Sequence, residues 1–98
     1  MREASDGELV NRAQAGDAEA FGELVTRHVK GVYALAYSFA QSHADADDLS
    51  QEAFLQAYRS LDSFKGRSRF RTWLSRIAAN ICANYVNRKA PEAEPLGA

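Results

Sequence analysis

Apolar side chains recur three and four residues apart over most of the chain, and no segment alternates apolar and polar residues as a half-buried strand requires. From Ala18 onward Phe21, Leu24, Val25, Val29, Val32, Tyr33, Ala36 and Phe39 keep that period to about residue 41. Phe70, Trp73, Leu74, Ile77, Ala78, Ile81 and Tyr85 repeat it near the end. With 98 residues, 46% of them apolar and 26% charged, the chain can bury one core and not two. The expected fold is therefore all-α, a compact bundle of four to five helices with no β-sheet. One domain is expected over residues 1–89. The remaining APEAEPLGA, residues 90–98, has two prolines and no apolar period and reads as a flexible linker or chain end.

Local signals divide the helices. Ser5 followed by Glu8 has the form of a capping box, Gly16 suits a helix C-cap and Asp17 the next N-cap, which predicts a first helix from about 6 to 15. Gly31 lies inside the long second run and costs about 1 kcal/mol relative to Ala, so one long helix or two abutting ones are expected. Asp45 is the expected N-cap of a helix from 46 to about 61, with Asp47 and Asp48 in its first turn, where the helix dipole favours negative charge. Its core arc is Ala46, Leu49, Ala53, Phe54, Ala57 and Leu61.

The net charge of −1 conceals a segregation. Residues 1–58 carry four basic side chains against ten acidic ones, whereas residues 59–89 carry eight basic ones against Asp62 alone. A basic field concentrates phosphate and an acidic one attracts basic protein surfaces, so two different partners are implied. At about 100° per residue the last helix places Arg69, Thr72, Arg76, Asn80, Ala83 and Asn87 opposite its apolar stripe. Arg and Asn match base edges, and Ala or Thr allows close approach of a nucleic-acid strand. On the acidic helix Asp48, Gln51, Glu52 and Arg59 surround Leu55, a frame that suits protein docking.

Other classes are disfavoured. The single cysteine, Cys82, has no partner for an internal disulfide and falls near the apolar side of the last helix, where a buried core role in a reducing compartment is expected. His28 and His43 lack metal-ligand spacing, and no metal or cofactor is expected. There is no phosphate-binding glycine loop, no nucleophile elbow and no paired base for Asp47, Asp48 and Glu52, so no enzyme activity is expected. The longest uncharged stretch, Gly31 to Ala44, is too short and polar to span a bilayer, and a cytoplasmic protein without membrane insertion is expected.

Three stretches in order, GDAEAFGELV, DADDLSQEAFLQAY and LDSFKGRSRFRTWLSRIAAN, resemble region two of bacterial sigma factors of the extracytoplasmic function group, over about residues 6 to 89. The resemblance implies an all-helical domain that binds core RNA polymerase and recognises and melts the promoter minus-ten element. It implies docking of Asp48, Gln51 and Glu52, with Asp47 and Leu55 beside them, on the coiled-coil of the β′ subunit. It also implies that Phe64, Lys65, Gly66, Arg67 and Ser68 form a loop that captures a base turned out of the single non-template strand, with Arg76 and Asn80 on the neighbouring strand. Trp73, on the apolar arc, is expected in the core. An anti-sigma protein is a further implied partner. The chain departs from the family in carrying Asn84 and Tyr85-Val86-Asn87-Arg88-Lys89 where members often have an acid and an arginine run. The domain that reads the minus-thirty-five element in the family is not in this sequence, so a fragment, or dependence on another polypeptide, is expected. A helical module that binds an anti-sigma protein without initiating transcription is the alternative.

Overall fold

The computed structural model describes residues 3–89. Among them the chain forms α1 (Asp6–Gln14), α2 (Ala18–Ala40), α3 (His43–Arg59), a 3-10 turn (Leu61–Ser63) and α4 (Phe70–Lys89), with no strand. α2 packs against all three other helices, and α3 packs also on α4. The longest helix is thus the spine of an all-α bundle.

The predicted caps are formed at the first two helices. Ser5 Oγ accepts the Glu8 N–H at 3.1 Å, and Glu8 Oε1 accepts the Ser5 N–H at 2.8 Å. Ala15 closes α1, and Gly16 just beyond it takes φ 105°, a left-handed conformation that glycine adopts without a Cβ clash. Asp17 Oδ1 then accepts from Glu19 and Ala20 at 3.0 and 3.2 Å. α2 runs unbroken through Gly31. Burial of Leu24, Val32 and Ala36 outweighs the roughly 1 kcal/mol that a helical glycine costs.

The start of α3 differs from expectation. Ser42, not Asp45, is the N-cap, its Oγ accepting the Asp45 N–H at 3.3 Å, so the helix begins three residues earlier. Asp45 instead accepts a hydrogen bond from Tyr85 Oη at 2.5 Å and so ties α3 to α4. Asp47 and Asp48 consequently lie in the second turn, where the dipole supports them less. The helix also ends earlier, at Arg59, because the chain tightens into the 3-10 turn that carries Leu61 into the core.

On α4 the deepest line is Phe70, Leu74, Ala78 and Cys82, every fourth residue. Trp73, Ile77, Ile81 and Tyr85 flank it and are half-buried. Small side chains at Ala78 and Cys82 allow close packing, while the larger ones seal the sides. Leu9, Leu24, Phe54, Leu61, Phe70 and Leu74 belong to the main core, and Ala36, Ala46, Leu49 and Cys82 form a second cluster. Burial, with a smaller contribution from Glu52, pushes the Cys82 thiol pKa up, which keeps it protonated and unreactive.

Candidate nucleic-acid interface

The six residues predicted for the polar side of α4 and its approach, Arg69, Thr72, Arg76, Asn80, Ala83 and Asn87, are all exposed. No acid occurs from Phe70 to Lys89. A strand laid along this side therefore meets guanidinium and amide groups without an opposing carboxylate on the helix.

The loop between the 3-10 turn and α4 is built on an aromatic floor. Phe64 is half-buried, its ring edge-on to Phe70 at 5.9 Å and tilted against Trp73 at 5.1 Å. Trp73 thus packs against the core as expected. Gly66 has φ 76°, which bends the loop in a way that a side chain would strain. Lys65 Nζ donates to the Asp62 carbonyl at 3.2 Å, and Lys65, Gly66 and Arg67 are exposed. Ser68 is half-buried, its Oγ donating to the Arg69 carbonyl at 3.3 Å. A cavity of about 510 Å³ lies on the α1 side of this loop and one of about 550 Å³ on the side of His28 and Arg71. Gly7, Phe64 and Gly66 border both.

Two supports of the loop escape sequence reasoning. Gln14 Nε2 donates to the carbonyls of Leu61 and Phe64, each at 3.0 Å, and fixes the chain across a separation that no local pattern reveals. His28 Nε2 meets Asp6 Oδ2 at 2.8 Å while its ring lies 5.6 Å from that of Phe70. Arg27 joins the same carboxylate at 3.2 Å and Glu23 at 3.3 Å. Burial works against the Arg27 charge, but the hydrogen bonds to Asp6 and Glu23 and the attraction of both carboxylates outweigh it and raise its pKa. The α1 terminus is thereby anchored to α2 beside the loop. The weak signal for this cluster was a histidine next to an arginine on one helix with an aspartate starting another.

On α3, Asp47, Asp48, Gln51, Glu52 and Leu55 are all exposed, Leu55 by 54%. A helix side holding carboxylates around an uncovered leucine is suited to a basic, partly apolar protein surface. Tyr58, 56% exposed and edge-on to Phe21 at 5.0 Å, extends this side and was not singled out from the sequence. Its position one turn beyond Leu55 is the signal that could have found it. Asp47, Gln51, Leu55 and Tyr58 border a groove of about 510 Å³ between α2 and α3.

His43 takes part in a stack with Tyr37 and Tyr33 and hydrogen-bonds Tyr33 Oη. Among the described residues no group of three or more His, Cys, Asp or Glu could hold a metal ion. No helix among them is long and apolar enough to cross a membrane.

The Sigma-70 region 2 family model matches residues 24–92, and the chain belongs to this family. It is 45% identical over 93 residues to the ECF RNA polymerase sigma-E factor of Escherichia coli (strain K12), a match covering 92% of this chain and 48% of that protein. It is 38% identical over 97 residues to the RNA polymerase sigma-H factor of Pseudomonas aeruginosa, covering 96% of this chain and 50% of the relative. The chain thus spans about half the length of the curated relatives it matches. Among solved structures, the NMR structure of an engineered region 2 of sigmaE in complex with GTAAAA superposes with a TM-score of 0.85 at 43% identity, covering 97% of this chain and 100% of that one.

Proposed function

We propose that residues 1–89 are the part of a bacterial RNA polymerase sigma factor that engages the minus-ten element as single-stranded DNA while docking on core polymerase. The observation that carries this is the exposed, acid-free side of α4 running on from a glycine-bent loop over Phe64. The phosphates of a strand meet Arg69 and Arg76, an unstacked base finds an aromatic wall at Phe64 with polar backbone at Gly66, and Asn80 offers a donor and an acceptor to a base edge. The complex of the engineered sigmaE region 2 with GTAAAA supports the same ligand class here. Binding is the whole of the chemistry, and the chain makes or breaks no bond.

Arg76→Ala and Asn80→Ala are each expected to weaken binding of a single-stranded minus-ten oligonucleotide by about 1–3 kcal/mol, with helix content retained because both side chains are exposed. Fluorescence anisotropy with a labelled hexamer measures this.

The acidic side of α3 supplies the polymerase contact in this reading, with the β′ coiled-coil as its partner in the cytoplasm, and the same surface suits an anti-sigma protein. Asp48→Lys with Glu52→Lys is expected to reduce co-purification with core polymerase at least about tenfold, since juxtaposed like charges cost several kcal/mol, while leaving hexamer affinity unchanged or slightly raised. Undiminished co-purification would remove this surface from the account.

A further inference from the structure

The loop has a cavity on each side, and their polar groups are not equivalent. On the side facing His28, Asp6 is already occupied by His28 and Arg27. On the α1 side the walls include Val10, Asn11, Gln14, Phe64, Lys65 and Gly66. Gln14 is half-buried there. Its amide orientation is fixed by its neighbours, because both contacts at 3.0 Å are carbonyl oxygens, which only the NH₂ end can satisfy. The carboxamide oxygen is therefore turned away from them. It takes no hydrogen bond among the described residues, and Ser50 Oγ is the one buried side-chain nitrogen or oxygen among them without a partner. Gln14 Oε1 is consequently an open acceptor, held rigid in a side chain that lines a cavity also bordered by Phe64.

A fixed acceptor beside an aromatic surface selects a stacked base that presents a donor there. We propose that the captured base enters this α1-side cavity and that Gln14 is a specificity-determining residue, its Oε1 accepting a hydrogen bond from the exocyclic amino group of adenine or cytosine. Unsubstituted purine lacks that group and carries no other N–H, so it leaves the oxygen unpaired when it displaces water. Asp62 and Asn11, the other side-chain acceptors at the rim, are exposed to solvent, and they discriminate less. The assignment rests on the nucleic-acid reading above and adds which cavity is used and which chemical group is read.

Gln14→Lys and Gln14→Arg separate the two roles of the side chain, because each retains donors for the Leu61 and Phe64 carbonyls but has no acceptor. The test titrates labelled single-stranded GTAAAA, and versions in which each adenine in turn is replaced by cytosine or by unsubstituted purine, against the whole chain and both variants. The wild type is expected to lose about tenfold in affinity for purine at one position, the value of one hydrogen bond in a dry pocket, and less for cytosine there. In both variants that ratio falls to near one, whatever their added charge does to overall affinity. Equal discrimination in the wild type and in a folded variant, or no sensitive position although the hexamer binds, overturns the assignment of Gln14 while leaving the interface intact. No binding of any hexamer by the wild type overturns the interface and this assignment together.

Discussion

Phe70→Ala is expected to remove about 3–5 kcal/mol of stability, the usual result of emptying a buried aromatic site, and to disable the loop as well. Phe70 is 3% exposed and its ring lies within 6 Å of Phe64, Trp73 and His28, at 5.9, 5.7 and 5.6 Å. It joins the core to the floor beneath the loop that precedes α4. In a domain of this size about 4–8 °C of melting temperature is lost per kcal/mol, so the variant melts far below the wild type in urea or thermal unfolding followed by circular dichroism. Even its folded fraction at low temperature is expected to bind the hexamer poorly, because Phe64 loses the ring that sets its tilt. A loss below about 1 kcal/mol would mean that the Phe70 site collapses without cost and that the floor is not needed.

Leu24→Ala separates stability from the site. Leu24 is fully buried at 0% exposure in the second turn of α2, and truncation there is expected to cost about 2–5 kcal/mol through lost transfer energy and a residual cavity. No ring of the loop floor is removed. The variant should therefore bind single-stranded DNA with wild-type affinity wherever it remains folded, with unfolding shifted to lower urea. If Leu24→Ala and Phe70→Ala lose binding in the same proportion at matched folded fractions, the aromatic floor has no separate role.

The helices were legible because their signals are local. Ser5 and Glu8, Gly16 and Asp17, and the apolar period through Gly31 each involve residues within a turn or two, and the structure forms them. The start of α3 was misplaced because Asp45 and Ser42 are both good caps, and the choice between them is made by Tyr85, forty residues away, which takes the Asp45 carboxylate. That contact, with burial second, raises the Tyr85 pKa. The exposed side of α4 and the exposed acidic side of α3 around Leu55 were readable from period and charge. Gln14 and the Asp6, Arg27 and His28 cluster were not, since each acts across the fold on a segment whose position no spacing rule predicts.

In the proposed function the acid-free side of α4 and the loop ahead of it hold single-stranded minus-ten DNA. The most direct measurement is a salt-series titration of the wild type, Arg76→Ala and Asn80→Ala with the labelled hexamer, single-stranded and as a duplex. The predicted result is preference of the wild type for the single strand, affinity that falls as salt rises because phosphates are neutralised, a shallower salt dependence for Arg76→Ala, and a loss at all salts for Asn80→Ala. Equal affinity of all three proteins for the single strand, or equal affinity of the wild type for single strand and duplex, would contradict it.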